Sequence, residues 1–281
     1  MIDLHTHTTN SDGTDTPAQL INKALSQGIT TLAITDHDSI DGWSDAVAAR
    51  RSPLSLVLGA EISSVTKEGI SVHILGLLFD GENKEMQTML DETRDQRVPR
   101  MRKIISLLNA DGIKVSMEDV MRAAPQGATV GRPHLADALV SLGVVASRDD
   151  AFTNLISNDS KYYVENVAPT PEEAIRVIRK AGGVAVIAHP FASRRGQILT
   201  PETFTGLVDA GLNGIEVNHR DQDLGEQQSL ASIAHDLNLV VTGSSDYHGT
   251  GKLNSLGENV TNPAEWERLE AMADKRRVIT S

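Results

Sequence analysis

The sequence predicts an α/β protein: a closed or nearly closed barrel of about seven strands, broken once by a helical insertion. Short β-branched runs alternate with helical periods at both ends of the chain. Between about residue 83 and residue 163 only the helical period survives. Aromatic residues make up 3% of the 281 positions, so the core must be aliphatic and rich in Ala and Gly, as in a helix-covered sheet. An apolar content of 40% supports one large domain carrying an insertion. The expected division is a barrel domain from 1–82 and 164–281, with an insertion subdomain at 83–163.

The first half of the barrel reads in order. Ile2 to His5 is a short strand. Thr16-Pro17 forms an N-cap and first helical residue, and the helix runs to Leu25 before Gly28 ends it. Thr31 to Thr35 is a second strand, leading to Asp36-His37-Asp38. A helix covers Trp43 to Ala49. Leu54 to Leu58 is a third strand, ending at Gly59-Ala60-Glu61, and Ser71 to Leu77 a fourth. The alternation implies a parallel sheet with right-handed crossovers. In the insertion, Met89 to Leu108, Ser116 to Ala123 and Arg132 to Leu142 read as helices. Alternation then resumes: helix Pro171–Lys180 and strand Gly183–Ala188, helix Pro201–Ala210 and strand Gly214–Val217, helix Gln227–Asp236 and strand Leu239–Thr242.

Composition excludes several function classes. There is no cysteine, so disulfides and thiolate metal sites are impossible, and any metal must be held by His, Asp, Glu and water. The formal net charge of −12 argues against duplex nucleic acid, whose phosphates need Lys and Arg. No apolar run of 18 residues and no signal peptide is visible, which predicts no membrane contact and a cytoplasmic location.

The chemistry-bearing residues share a position. His5, His7, Asp36, His37, Glu61, His189, Asp246 and His248 fall at strand ends or just after, where α/β barrels place their active sites. His73 is the exception, lying early in its strand. His5-x-His7 puts two imidazoles on one strand face. A lone pair of this kind is as often a surface feature, but this one follows a strand and precedes Ser11-Asp12-Gly13-Thr14. Asp246-x-His248 repeats the spacing. In Thr35-Asp36-His37-Asp38 either aspartate could merely cap a helix, whereas His37 is harder to explain that way. Glu61 at the mouth could bridge two cations. A single His73 in an apolar run would suggest a hydrogen-bonded core histidine; its companions favour a ligand.

Jointly, Asp3-Leu4-His5-Thr6-His7-Thr8, Ser11-Asp12-Gly13-Thr14, Thr35-Asp36-His37-Asp38, Gly59-Ala60-Glu61, Ala188-His189-Pro190 and Ser245-Asp246-Tyr247-His248-Gly249 resemble the PHP (polymerase and histidinol phosphatase) family. The spacing, and Gly131-Arg132-Pro133-His134 in the insertion, resemble most its bacterial branch of nucleoside 3′,5′-bisphosphate phosphatases and 5′–3′ exoribonucleases. The resemblance implies a distorted (β/α)7 barrel with two or three divalent ions, Mn, Fe or Zn. By position, His5, His7, Glu61 and Asp246 would hold one ion. Glu61, His73 and His189 would hold a second, and Asp12, His37 and His248 a third. The oxygen ligand at Asp12 favours Mn or Fe. The catalytic residues on this reading are Glu61, Asp246 and His189, acting through a hydroxide that bridges two ions.

Four residues are expected to contact substrate. Arg132 suits bidentate phosphate binding and lies with His134 where a loop opens a helix. Arg194, with Arg195, follows His189-Pro190. His219, with Arg220, follows the strand ending at Val217. The expected function is hydrolysis of small phosphorylated nucleotides, or of short single-stranded RNA. Histidinol-phosphate phosphatase is the alternative, and a non-catalytic metal-binding module a third reading. An amidohydrolase-type site would want a bridging Lys or a further His pair, neither of which is found.

Overall fold

A computed structural model describes residues 1–193, 196, 198–274 and 278–280. The strands are β1 (Ile2–Asp3), β2 (Thr31–Ile34), β3 (Ser55–Val65), β4 (Ser71–Leu77), β5 (Val184–Ala188), β6 (Gly214–Asn218) and β7 (Val240–Gly243). The helices are α1 (Pro17–Ser26), α2 (Trp43–Ala49), α3 (Lys84–Ala110), α4 (Met117–Ala123), α5 (Arg132–Ser141), α6 (Arg148–Asn154), α7 (Pro171–Lys180), α8 (Pro201–Ala210), α9 (Leu224–Asp236) and α10 (Pro263–Glu270). The strands form one sheet in chain order from β1 to β7. A parallel bridge between Thr6 and Tyr247, just past β1 and β7, brings its two edges together into a nearly closed barrel.

The local chemistry places these elements. Thr16 and Gln19 form a reciprocal capping box ahead of Pro17. Thr170 and Glu173 do the same ahead of Pro171. Gly28 leaves α1 with φ of 73°, a left-handed conformation that costs glycine nothing. Helices α6 and α10 carry no expectation from the sequence, being short and weakly periodic, and α3 starts five residues before the expected Met89.

One expectation needs correction. The sheet is not all parallel: β4 runs antiparallel to both β3 and β5. Only residues 66–70 separate β3 from β4, whereas a parallel crossover needs a dozen or more. Thr66 instead closes a tight turn, its N–H donating to the Ile70 carbonyl at 2.9 Å. Reversal of β4 explains the odd position of His73, because the start of an antiparallel strand lies at the mouth where its neighbours end. It also lengthens β3, whose first half pairs with β2 and second half with β4. Glu61 therefore stands inside β3 instead of at its end.

The apolar clusters follow this layout. Ile62, Ile74, Ile178, Ile187, Phe204 and Ile215 pack under the outer helices, while Leu4, Ala33, Val57, Leu75 and Val186 belong to a second cluster. A separate cluster holds α3 to α6 together through Met101, Ile104, Leu108, Val120, Leu135 and Leu139. Helix α3 serves both bodies, since Met86, Met89 and Leu90 pack with the barrel.

Polar contacts tie the insertion to the barrel. Arg97 donates from Nε to Asp38 Oδ2 at 2.9 Å and from Nη2 to Ser63 Oγ at 2.9 Å. The Thr129 N–H donates to the Asn10 carbonyl at 2.9 Å, and Arg148 reaches the Gly251 carbonyl at 3.1 Å. Asp38 is fully buried, so removing its partner strands a charge. We expect Arg97→Ala to cost about 3–5 kcal/mol of stability. Adding Asp38→Asn should recover much of it, which denaturant midpoints of the two variants will show.

Candidate metal centre

Buried and half-buried histidines and carboxylates crowd the C-terminal mouth, and Glu61 is their centre. Its side chain is 1% exposed. Oε2 lies 3.3 Å from His5 Nε2, 3.2 Å from His7 Nε2 and 3.0 Å from His37 Nδ1. Oε1 lies 2.8 Å from His73 Nδ1 and 3.3 Å from His189 Nε2. Each oxygen thus faces its own set of imidazoles.

Asp246 divides its oxygens in the same way. Oδ1 faces His5 Nε2 and His7 Nε2, each at 3.5 Å. Oδ2 turns toward Lys252 Nζ at 2.9 Å and His219 Nε2 at 3.4 Å. A further group forms around Asp12, with His248 Nε2 at 3.1 Å, His7 Nδ1 at 3.7 Å and His37 Nε2 at 3.7 Å.

Hydrogen bonds outside the cluster fix which ring nitrogens are bare when the imidazoles are neutral. His5 Nδ1 lies 3.1 Å from Glu216 Oε1, so Nδ1 carries the proton and Nε2 presents its lone pair inward. The Ser11 hydroxyl donates to Asp36 Oδ1 at 2.7 Å and so accepts from His7 Nδ1 at 3.3 Å. His7 Nε2 is then also bare, 3.1 Å from His5 Nε2. Two inward lone pairs at that separation repel unless a cation or proton lies between them. Carboxylates that orient imidazoles from behind are the usual support of histidine metal ligands.

The donor set fits divalent ions. Two ligands held at ~2.1 Å by one ion lie roughly 3.0–3.4 Å apart, the spacing of most pairs here. Asp12 Oδ1, His37 Nδ1 and His248 Nε2 are buried without a hydrogen-bond partner, a costly state that a cation would relieve. The groups His5–His7–Glu61, His37–Glu61–His73 and His7–Asp12–His37–His248 each bring their ligand atoms within 4.8 Å of one another. His189 joins His5 and Glu216 in a fourth.

Electrostatics follow from this crowding. Burial would lower His7, but Asp246, Glu61 and Asp12 hold it up to about 9. Burial opposes charge on His5 too, yet Glu61, Glu216 and Asp246 raise it well above the ordinary range. Burial pushes His248 down to about 3, helped by Lys252 and His7. Burial favours neutral Glu61 and Asp12, but their histidine neighbours hold both well below the usual carboxylate range.

Backbone strain concentrates at the same place. Asp38, His189 and Asp246 have φ of 47°, 32° and 51°, left-handed values uncommon outside glycine and found where the surroundings enforce them. Gly13 is required next to Asp12, because a Cβ there would lie 2.5 Å from the His7 carbonyl oxygen.

All nine expected ligands therefore line one mouth. Asp36 is neither cap nor ligand: it accepts from Thr8 N, Thr8 Oγ1 and Ser11 Oγ, each at 2.7 Å. Asp38 is no cap either, since it pairs with Arg97. Of the expected substrate contacts, His219 is buried, and its Nδ1 accepts the Asp221 N–H at 3.0 Å. Its proton must sit on Nε2, aimed at Asp246. Arg220 turns away to Glu258 at 3.5 Å. His134 Nδ1 accepts the Gly131 N–H at 3.1 Å, which caps α5. Arg132 donates to the Ile156 carbonyl at 2.9 Å and lies over the Phe152 and Tyr163 rings. Arg194 and Arg195 fall outside the described residues.

Sequence reasoning missed Glu216, Arg97 and Arg100. Glu216 was legible as a carboxylate inside the apolar run Gly214–Val217. Arg97 and Arg100 are three apart on α3, a spacing that a solvated face shares. Arg97, Arg100 and Arg132 line one small cleft. Neither Arg100 nor Arg132 pairs with a carboxylate among the described residues. Burial, with Arg100 adding repulsion, pushes Arg132 down to about 10.

The PHP domain model matches residues 3–180. A 5′–3′ exoribonuclease of Haemophilus influenzae is 32% identical over 259 residues, covering 92% of this chain and 93% of the relative. A 3′,5′-nucleoside bisphosphate phosphatase of Chromobacterium violaceum is 32% identical, covering 89% and 88%. A crystal structure from Bifidobacterium adolescentis, assigned as a metal-dependent phosphoesterase, superposes with a TM-score of 0.92 at 38% identity, covering 97% and 96%.

Two outcomes are expected at this site. A divalent ion must displace the protons of His5 and His7, which stay protonated below about pH 9 in the case of His7. Mn binding at pH 7.5 should then release protons, and affinity should climb as pH rises toward 9. Calorimetry in buffers of different ionisation heat measures the release; none at all would contradict the ligand set. Glu61→Ala should lose bound metal from two sites at once, read by elemental analysis beside an unchanged circular-dichroism spectrum.

Proposed function

The chain belongs to the PHP domain family and is a phosphoric-ester hydrolase; from that premise we propose that it is metal-dependent and cleaves phosphate esters of nucleotides. The substrate class is a nucleoside 3′,5′-bisphosphate, a mononucleotide or a short oligoribonucleotide. The observation that carries this reading is the double facing of Glu61, whose two oxygens address separate imidazole sets. A single-ion site has no use for that arrangement.

His5, His7, Asp12, His37, Glu61, His73, His189, Asp246 and His248 would hold two or three ions of Mn, Fe or Zn. When bound, such ions neutralise phosphate oxygens and acidify water into a nucleophile at neutral pH. The protein's own groups do the rest. Glu216 and the Ser11–Asp36 pair keep the imidazoles of His5 and His7 in the binding tautomer. His219 aims an Nε2–H donor at the mouth. The Arg132 and Arg100 guanidinia, unpaired with carboxylates among the described residues, suit an anionic oxygen approaching from the insertion side. Arg97 holds Asp38 and so the backbone beside His37.

This reading is tested by hydrolysis assays on protein loaded with Mn, Fe(II) or Zn. Nucleoside 3′,5′-bisphosphates, mononucleotides, short RNA and histidinol phosphate form the panel. Turnover of a nucleotide ester that chelator abolishes is expected; preference for histidinol phosphate would move the protein to the other branch. Arg132→Ala should keep its metal and weaken substrate binding by about 1.5–3 kcal/mol, the scale of a hydrogen bond to a charged group. Arg132→Lys should restore only part of it. Unchanged kinetics in Arg132→Ala would remove the residue from the site.

A further inference from the structure

The geometry points to Lys252 as a substrate-binding residue of this chain, whose ammonium meets a phosphate oxygen of the ester beside Asp246. The inference rests on the phosphoesterase reading above. Lys252 Nζ stands 2.9 Å from Asp246 Oδ2. That oxygen faces away from His5 and His7, which address Oδ1. The Asp246 side chain is 1% exposed and that of Lys252 30%. One ammonium donor is engaged on the carboxylate, and the partly open side chain leaves others for the mouth.

A lysine side chain is ordinarily a mobile point charge. This one is carried on a turn pinned at several points. The Thr250 N–H donates to Thr14 Oγ1 at 2.8 Å, and the Gly251 N–H to the His248 carbonyl at 3.2 Å. Arg148 of the insertion holds the Gly251 carbonyl at 3.1 Å. Asn254 Nδ2 donates to the Ser245 carbonyl at 2.7 Å. The backbone on both sides of Lys252 is therefore fixed to the segment that carries Asp246 and His248, and to the loop that carries Asp12.

Charge decides what such a lysine does. Divalent ions on Asp246 repel a neighbouring ammonium and take over the neutralisation of the carboxylate. Lys252 alone would then weaken the centre. An anionic phosphate reverses the sign, because its oxygens attract both the ions and the ammonium. His219 Nε2, a buried donor lacking a hydrogen-bond partner, points at the same oxygen of Asp246 from 3.4 Å. The two donors form a pair on the β7 side of the mouth. The arginine cleft lies on the β2–β3 side, next to Asp38 and Ser63.

The test compares wild type, Lys252→Met and Lys252→Arg, each loaded with Mn. Three quantities are read: metal per chain, the dissociation constant of inorganic phosphate by calorimetry, and steady-state hydrolysis of the nucleotide ester. Lys252→Met should keep its metal and its melting temperature. Its phosphate dissociation constant should rise about tenfold, and kcat/KM should fall about 10–100-fold through KM, as expected for one charged hydrogen bond. Lys252→Arg should recover part of both. Full metal with unchanged phosphate binding overturns the assignment. So does loss of metal with unchanged phosphate binding, which would make Lys252 a support for Asp246 only. If wild type hydrolyses no ester, the phosphoesterase reading falls, and the phosphate titration still decides the role of Lys252.

Discussion

A buried carboxylate with five imidazoles around it cannot be satisfied by hydrogen bonds alone. Glu61 can accept from donors, but His5 and His7 commit their Nδ1 protons behind them, to Glu216 and Ser11, so their Nε2 atoms meet it with a proton only while the rings are charged. The cluster therefore needs positive charge at its centre, whether from ring protons or from a cation. Much of the surrounding structure exists to hold this imbalance in place. The left-handed residues Asp38, His189 and Asp246 turn the chain sharply just past the strand ends. Asp36 fastens the loop from Thr8 to Ser11, and Glu216 both orients His5 and accepts the His189 N–H at 2.9 Å. Relaxing any of these would let the histidines point outward.

The sequence made the candidate ligands legible because metal chemistry leaves few substitutes. His5-x-His7 and Asp246-x-His248 state their geometry through spacing alone. The strand count, and helices α2, α7 and α8, were readable from period and caps. What stayed hidden was relational. The third strand reads as ending before Glu61, so its extension to Val65 and the short hairpin into Ser71 stayed hidden behind the βαβ alternation elsewhere. Glu216 looked like a charge in a strand, and only the fold shows that it backs His5. Arg97 and Arg100 looked like a solvated helix face, since nothing local tells an arginine which way its helix is turned. The role of Asp36 required knowing that Ser11 lies between it and His7.

The electrostatic design is one of contrast. The chain carries a net charge of −12, yet Arg97 and Lys252 reach Asp38 and Asp246 at the mouth, and Arg100 and Arg132 line a cleft with Arg97. Long polyanions feel the whole surface, whereas a small phosphate that enters the mouth feels the local field. Under the proposed function, that contrast favours short substrates, or the terminus of a longer one, over the interior of a strand.

Reversal of β4 also sets which parts of the chain can be remodelled independently. Past Glu61, β3 runs four more residues, roughly 13 Å at strand rise, so the turn at 66–70 overhangs the histidine-lined mouth of the barrel. That turn is the structural counterpart of a βα loop in an ordinary barrel. Lengthening or grafting it would reshape the substrate's surroundings without touching a ligand. The connection after β4 opens on the opposite end, and the chain returns along α3, whose 27 residues span about 40 Å at helical rise. The insertion is thus hung from a strut anchored far from the chemistry. Its outer helices can diverge in size while the nine candidate ligands keep their register.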